Sequence, residues 1–138
     1  MSNTTDESLI AAALEARDRA YAPYSNYHVG CALLTSGKVY VAANVENASY
    51  GLASCAERNA VINAVLEGNS KLEVVAVATV SSPPATPCGL CLQTLNEFVD
   101  DPNKLRVIAV NTDGERNDYT LAELFPHGFR REQLPDHG

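Results

Sequence analysis

The sequence predicts an α/β fold in which a single domain is built on a mixed β-sheet covered by helices. Two valine-rich apolar runs, at residues 72–80 and 105–110, have the length and continuity of strands that are buried on both faces. Segments with helical signals lie between and around these runs. Nearer the N-terminus, Ser36 and Gly37 separate two further strand-like segments in the manner of a tight hairpin. Helices inserted between buried strands pack on the faces of a sheet, so this order favours a layered α/β domain.

Each element follows from a local signal. The strands are expected at residues 29–34, 39–44, 72–80 and 105–110, and the helices at residues 5–20, 55–66, 89–99 and 121–125. The first helix can be capped by Asp6, and its apolar face consists of Leu9, Ala13, Ala16 and Ala20. Gly68 closes the second helix, and the Asp113-Gly114 pair marks a turn after the last strand. The remaining segments 21–27, 44–54 and 81–87 are expected to be loops.

The composition limits both the class of protein and its partners. The 138 residues, of which 46% are hydrophobic, can bury a core without disulfides, so one domain is expected over residues 1–138, with polar tails at about 1–5 and 131–138. The N-terminus lacks a signal-peptide pattern and no apolar stretch is long enough to span a bilayer, which predicts a cytoplasmic protein with no membrane partner. The net charge of −7 argues against a nucleic-acid partner, because a phosphate backbone is normally bound by a basic surface.

Three of the four cysteines have the spacing of metal ligands. In a reducing compartment such a set indicates metal binding or catalysis before disulfides. Cys88 and Cys91 are three residues apart at the start of a predicted helix, so one turn presents both sulfurs to a single ion. Cys55, at the start of another predicted helix, would supply a third thiolate. Three protein ligands and one open position are the arrangement of a catalytic zinc, which predicts one Zn²⁺ per chain.

A closed, purely structural zinc site would need a fourth ligand, and Cys31 is the remaining cysteine. Cys31 lies within an alternating strand segment, where a small core residue is the simpler interpretation. An isolated Cys-x-x-Cys pair is also common in zinc knuckles and redox sites. Cys55 at a second helix start favours the catalytic interpretation. So does Pro87, because it makes the chain enter the ligand pair in an extended conformation.

Two charged residues follow Cys55 closely. Glu57 is on the same helical turn, and since the cluster already has enough negative ligands, its predicted role is that of a catalytic proton carrier. The alternative for Glu57 is an ordinary solvated helix face. Three thiolates around Zn²⁺ leave a net charge of about −1, which disfavours ionisation of a bound water. Two features would offset that charge. Arg58 is not a ligand but can donate hydrogen bonds to sulfur, and both helix N-termini direct positive partial charge at the cluster.

These motifs resemble those of the zinc-dependent deaminases, in which a ligand-x-Glu segment is followed by Pro-Cys-x-x-Cys and the glutamate acts as acid and base. Within that superfamily, Cys-Ala-Glu-Arg at 55–58 is similar to the short homotetrameric cytidine deaminases. The similarity extends over about residues 21–129. Tyr-Ala-Pro-Tyr-Ser at 21–25 resembles the family's Y-x-P-Y-S loop, Tyr-His-Val-Gly at 27–30 its F-x-V-G continuation, and Asn-Val-Glu-Asn at 44–47 its N-[IV]-E-N segment.

The resemblance implies a ribose-binding pair. Asn44 and Glu46 match the family residues that hold the ribose. An amide and a carboxylate can bracket a sugar hydroxyl, which both donates and accepts hydrogen bonds. Without the resemblance, the same segment is equally consistent with a polar loop whose asparagines adopt turn conformations.

The resemblance also implies contacts to the base and an assembly. The backbone at Ala56 and Thr86 matches positions that contact the base and the leaving amine. Tyr27 and Phe129 match aromatic positions that pack around the nucleoside, although each alone is consistent with an ordinary core residue. The residue matching Phe129 lies over the pyrimidine in an adjacent subunit's site. The implied assembly is therefore a homotetramer with shared active sites.

The implied fold is the three-layer fold of the cytidine deaminases. The implied activity is zinc-dependent hydrolytic deamination of cytidine and 2′-deoxycytidine to uridine and 2′-deoxyuridine plus ammonia, a reaction of pyrimidine salvage. One departure is Leu92, which stands where the family usually has arginine. The missing cation keeps open a deaminase of another aminopyrimidine nucleoside, such as a blasticidin S-type antibiotic. Two alternatives come from other classes. Glu57 disfavours a non-catalytic structural zinc module, and the acidic net charge disfavours an editing deaminase of RNA or DNA.

Overall fold

The computed structural model describes residues 4–135, and these residues form a five-stranded β-sheet. In chain order the strands are β1 (Gly30–Thr35), β2 (Lys38–Ala43), β3 (Leu72–Thr79), β4 (Arg106–Asn111) and β5 (Arg116–Thr120). Their order across the sheet is β2-β1-β3-β4-β5. β3 and β4 pair in parallel while the other neighbouring strands pair antiparallel, which confirms the predicted mixed sheet.

Helices cover both faces of the sheet and complete three layers. They are α1 (Asp6–Arg17), α2 (Ala56–Leu66), α3 (Gly89–Glu97) and the short α4 (Leu121–Leu124). α1 packs against one face through Leu9 and Ala13. The other three helices contribute Val61, Leu95 and Leu121 to the core on the opposite face. No helix within residues 4–135 combines the length and apolar character needed to cross a membrane.

The central strand β3 is buried on both faces, as its valine-rich sequence predicts. Val75 and Val77 pack with the core on the α2 and α3 side. Val74, Ala76 and Ala78 pack with the core on the α1 side. Successive side chains of a strand point to opposite faces, so an unbroken apolar run is required where both faces carry helices.

The strand β5 was not predicted from the sequence. Its residues are Arg-Asn-Asp-Tyr-Thr, and it lies at an edge of the sheet beside β4. Edge strands often carry charged side chains, and β5 accordingly lacks the apolar run that marks β3 and β4. The turn predicted at Asp113-Gly114 connects β4 to β5, and Gly114 has a φ of 87°, a left-handed conformation that glycine adopts without strain.

The first helix begins and ends differently from the prediction. Thr5, and not Asp6, is the N-cap, because the Thr5 hydroxyl accepts a hydrogen bond from the Ser8 backbone N–H at 3.1 Å. The carboxylate of Asp6 is instead engaged with two arginines of the sheet. The helix ends at Arg17, which leaves Ala20 outside it. The other elements differ from their predicted bounds by one or two residues, and α3 ends at Glu97 instead of residue 99.

Candidate active site

The three predicted zinc ligands meet at the starts of two helices. Cys55 is the N-cap residue of α2 and Cys88 is the N-cap residue of α3, each with extended backbone angles. Cys91 lies one turn into α3 and is buried. The sulfurs of Cys55 and Cys88 are 4.0 Å apart and those of Cys88 and Cys91 are 3.6 Å apart. All three sulfurs lie within 4.8 Å of one another.

This spacing fits a zinc ion. Zn–S bonds of about 2.3 Å in tetrahedral geometry place two ligand sulfurs about 3.8 Å apart, between the two distances above. Three thiolates suit Zn²⁺ and leave one coordination position without a protein ligand, as catalytic zinc sites require. Cys31 is fully buried in β1 and lies outside this cluster. The residues present therefore fit the ion without a fourth cysteine.

The cluster favours a thiolate at Cys55. Hydrogen bonding from Cys91, with further contributions from Arg58 and Cys88, lowers the pKa of Cys55 to about 5, although burial opposes the shift. The hydrogen bond that Cys91 makes to Cys55, together with burial, raises the pKa of Cys91. Arg58 donates from Nη2 to Cys55 Sγ at 3.6 Å and to the Ala53 carbonyl at 3.3 Å. The helix N-terminus and this guanidinium both supply positive potential at the sulfur.

Glu57 is a buried carboxyl group in the first turn of α2. It is 5% exposed, and burial raises its pKa to about 7, with the negative charge of Cys55 acting in the same direction. A carboxyl group with a pKa near neutrality can both accept and release a proton at physiological pH. Glu57 is therefore chemically suited to proton transfer, and it is not a solvated surface residue.

A cavity of about 220 Å³ opens beside the cysteines. Its lining residues are Tyr27, Val29, Asn44, Cys55, Ala56, Glu57, Val77, Thr79, Ala85, Thr86 and Cys88. Seven of the eleven residues predicted for the site thus line one cavity. Of the other four, Cys91 belongs to the metal cluster, Arg58 contacts Cys55, and Glu46 and Phe129 are not among the lining residues. A mostly apolar cavity with a few polar groups at one end is typical of a small-molecule site.

Asn44 and Glu46 are close in sequence, but they face different spaces. Asn44 lines the cavity, and its side-chain amide accepts from the Val29 N–H and donates to the Tyr27 carbonyl, each at 2.9 Å. Glu46 lines a neighbouring concavity, together with Tyr24, Tyr50 and three other residues. Its carboxylate accepts hydrogen bonds from the backbone N–H groups of residues 24 and 25 and from the residue 25 hydroxyl.

Phe129 lies outside the cavity of its own chain. Its side chain is 52% exposed, while its backbone carbonyl accepts hydrogen bonds from Gln93 Nε2 at 2.8 Å and Asn96 Nδ2 at 3.2 Å. The segment is thus tied to α3 with its ring facing outward. Leu92, which stands where the family usually has arginine, is buried in the core on the α2 and α3 side of the sheet. It brings no charge to the cysteine cluster.

Several cavity residues were not identified from the sequence. These residues are Val29, directly before β1, Val77 and Thr79 on β3, and Ala85 in the loop of residues 81–87. The three apolar residues are indistinguishable by pattern from ordinary core residues. Thr79 carried a usable signal, since a threonine that ends an apolar strand places a polar group at the buried C-terminal end of that strand.

The domain has a three-layer α/β fold, a three-thiolate cluster at two helix N-termini and a buried carboxyl group beside it. These features define a zinc-binding domain with an open, catalytic type of site. The family described as "Cytidine and deoxycytidylate deaminase zinc-binding region" matches residues 3–108 of this chain. The chain belongs to the cytidine and deoxycytidylate deaminase family, and zinc is the cofactor for which its cysteine cluster is built.

Individual relatives agree with this assignment. A cytidine deaminase of Halalkalibacterium halodurans is 41% identical over 131 residues, which cover 94% of this chain and 98% of the relative. One of Sporosarcina psychrophila is 39% identical over 129 residues, 93% of each chain. The crystal structure of a Burkholderia pseudomallei cytidine deaminase has a TM-score of 0.86 at 43% identity, covering 91% of this chain and 100% of that one. The Mycobacterium tuberculosis structure has a TM-score of 0.77 at 33% identity, covering 91% and 98%.

Proposed function

We propose that this chain is a zinc-dependent hydrolase that converts cytidine and 2′-deoxycytidine to uridine and 2′-deoxyuridine with release of ammonia. The observation that carries the proposal is that buried Glu57 lines the same cavity as Cys55 and Cys88, which supports a role for its carboxyl group as a proton carrier beside an open metal site. The relatives described above are named cytidine deaminases, which favours cytidine over an antibiotic of the blasticidin S type. The same geometry argues against a purely structural zinc module.

Glu57 is the catalytic residue of this mechanism. When bound by the three cysteines, zinc supplies the polarisation that makes water a nucleophile near neutral pH. The Glu57 carboxylate takes a proton from the attacking water and gives one to the N3 atom of the ring, while a C4–O bond forms. It then carries the proton of the new C4 hydroxyl to the amino nitrogen, the C4–N bond breaks as the C4 carbonyl forms, and ammonia leaves. Burial of Glu57 suits these two proton transfers, because it raises the pKa of the carboxyl group to about 7, close to neutrality.

Substrate binding is assigned to the groups around the cavity. The backbone at Ala56 and Thr86 contacts the base and the leaving amine, and the Tyr27 ring packs against the base. Asn44, from the cavity, and Glu46, from the separate concavity that it shares with Tyr24 and Tyr50, hold the ribose. Support for the ribose pair comes from their fixed side chains, since groups already held in place bind a ligand with less loss of conformational entropy. Neutral sugar hydroxyls suit this acidic protein better than a phosphate does.

The active site is completed by a neighbouring subunit of a homotetramer. Phe129 presents its ring outward while its backbone is tied to α3, so the ring is available to a second copy of the chain. Tyr24 and Tyr50 are exposed and line the concavity that contains Glu46, and the same two loop segments carry the exposed apolar residues Tyr21, Val45 and Leu52. Exposed apolar groups clustered in this way are typical of protein interfaces. We place the assembled enzyme, one deaminase domain per chain, in the cytoplasm.

The decisive experiment is a substrate screen on the zinc-loaded protein that measures ammonia release. The substrates are cytidine, 2′-deoxycytidine, cytosine, CMP, adenosine, blasticidin S and a cytidine-containing RNA. Cytidine and 2′-deoxycytidine are expected to give the highest kcat/KM. A kcat/KM for CMP comparable to that for cytidine would contradict the assignment of nucleosides as substrates. Higher turnover of blasticidin S or of RNA would replace the proposed substrate by the corresponding alternative.

A further inference from the structure

Ser81 is hydrogen-bonded to one residue of the cavity lining and begins a loop that contributes two others. Its hydroxyl pairs with the hydroxyl of Tyr27, with 2.6 Å between the two oxygens. Tyr27 lines one side of the cavity. Ala85 and Thr86 line another side, and they belong to the loop of residues 81–87 that Ser81 begins. Ser81 does not itself line the cavity, so any effect it has on a ligand passes through these neighbours.

The backbone of Ser81 is anchored by two buried polar residues. Its N–H donates to Thr79 Oγ1 at 3.2 Å, and its carbonyl accepts from Asn111 Nδ2 at 2.9 Å. Thr79 is 2% exposed and Asn111 is 1% exposed. Asn111 Oδ1 in turn accepts from the backbone N–H groups of Asp113 at 3.1 Å and Glu115 at 2.9 Å. A buried amide with all these partners is a rigid anchor, because breaking any bond would leave a buried polar group unpaired.

The backbone of Tyr27 is also fixed on both sides. Its N–H donates to Ser25 Oγ at 3.0 Å, and its carbonyl accepts from Asn44 Nδ2 at 2.9 Å. The freedom that remains is rotation of the side chain, and the bond between the Tyr27 and Ser81 hydroxyls restrains it. A phenylalanine at position 27 would present the same ring without that restraint.

We propose that Ser81 is a positioning residue of the deaminase, whose hydroxyl fixes the Tyr27 ring relative to the loop of residues 81–87 and so sets the width of the cavity that receives the pyrimidine. This role rests on the proposed function. A ring that is already fixed loses little conformational entropy when the base binds against it. The bond therefore contributes to substrate affinity and leaves proton transfer at Glu57 unchanged.

The test compares steady-state kinetics of the zinc-loaded wild type, Ser81→Ala, Tyr27→Phe and the double variant with cytidine. Each single variant is expected to raise KM about fivefold, the size expected for the loss of one neutral hydrogen bond, with kcat and zinc content nearly unchanged. The double variant is expected to match either single variant, because all three lack the same bond. Ser81→Thr keeps a hydroxyl and is expected to restore KM. Ser82→Ala is the matched control, since the Ser82 hydroxyl donates to Glu115 instead.

A second readout is independent of turnover. The χ1 rotamer of Tyr27, measured by NMR from three-bond couplings, is expected to be single in the wild type and mixed in Ser81→Ala, because rotation about χ1 moves the hydroxyl away from Ser81. Equal χ1 rotamer populations, unchanged KM in both single variants, or KM effects that multiply in the double variant would each overturn the role of Ser81 while cytidine turnover by the wild type persists. A zinc-loaded wild type that releases no ammonia from cytidine would reject the proposed function, and this role with it.

Discussion

The guanidinium of Arg58 reaches back along the first turn of α2 to the sulfur of Cys55, with 3.6 Å between Nη2 and Sγ. A second hydrogen bond from the same nitrogen, to the Ala53 carbonyl at 3.3 Å, holds the side chain in this position. The residue after Cys91 is a leucine buried in the core, so no cation approaches the cluster from that position of α3. We therefore propose that Arg58 offsets the negative charge of the thiolates.

Replacing Arg58 by glutamine is expected to lower kcat/KM at least about tenfold, in the range found when hydrogen-bonding partners of metal ligands are removed. The reason is that a more negative cluster disfavours ionisation of a water bound to the metal. Zinc content, measured by atomic absorption, separates an effect on metal affinity from one on chemistry. Arg19→Gln, at an exposed arginine beyond the end of α1, is the control. Full activity in Arg58→Gln would show that the helix N-termini alone balance the charge.

Glu57→Gln is expected to fold and to bind zinc while losing on the order of a hundredfold or more of kcat, because glutamine preserves the shape but cannot carry a proton. The measurement is ammonia release from cytidine together with zinc content. Glu97→Gln removes an exposed carboxylate at the end of α3 and is expected to have little effect. Near-normal turnover by Glu57→Gln would eliminate the proposed proton carrier.

Two buried cysteines offer a matched test of the ligand set. Cys31 and Cys91 are both fully buried, but only Cys91 lies in the metal cluster. Cys91→Ala is expected to lose most of its zinc, because it removes a ligand. Cys31→Ala is expected to retain about one zinc per chain, since it deletes only a core sulfur. Loss of zinc from a folded Cys31→Ala variant would contradict the three-cysteine site.

The ion pairs of Asp6 predict a specific dependence of stability on pH. Its carboxylate accepts hydrogen bonds from Arg106 and lies 2.9 Å from Arg116 Nη2, and these arginines lower its pKa below the usual value of 3.8. The unfolded chain therefore binds a proton at Asp6 more readily than the folded chain does. The stabilisation is fully present above about pH 4 and is lost as the pH falls through the lower, folded pKa.

Asp6→Asn is accordingly expected to reduce the free energy of unfolding by about 1 kcal/mol at pH 7, and by progressively less as the pH falls below about 4. Urea denaturation at several pH values measures the difference. Asp18→Asn is the control, because Asp18 is highly exposed and lies 3.7 Å from Arg17. A deficit in Asp6→Asn that stayed constant down to pH 2 would point to loss of packing, and not of an ion pair.

A shared active site predicts complementation between two defective chains. Phe129→Ala is expected to raise KM for cytidine while zinc content stays normal, because stacking of a base on an aromatic ring contributes roughly 1–3 kcal/mol. The Phe129→Ala and Glu57→Gln chains are then mixed, dissociated and reassembled. We expect this mixture to recover activity, because some sites combine an intact Glu57 of one chain with an intact Phe129 of a neighbour. Reassembly of each variant with itself is the control. An active monomer in light scattering, or no recovery in mixed oligomers, would argue against sharing.

The site residues that could be predicted from the sequence are those whose relative positions depend on short stretches of the chain. Cys88 and Cys91 share one turn of a helix, and Glu57 follows Cys55 within another turn, so their relative positions depend on helix geometry alone. The buried strands β3 and β4 were predictable for a similar reason, because burial on both faces demands an unbroken apolar run. The charged edge strand β5 has no such requirement and was missed.

Tertiary structure decided which distant groups meet. Cys55 and Cys88 are 33 residues apart, and their sulfurs come within 4.0 Å because α2 and α3 pack side by side on one face of the sheet with their N-termini at the same end. Tyr27 and Ser81 are joined by a hydrogen bond across 54 positions, which no periodicity encodes. Local spacing follows from backbone geometry and can be derived from sequence. Contacts between distant segments depend on how the helices and strands pack, and on which of several available partners each buried polar group finds in the folded chain.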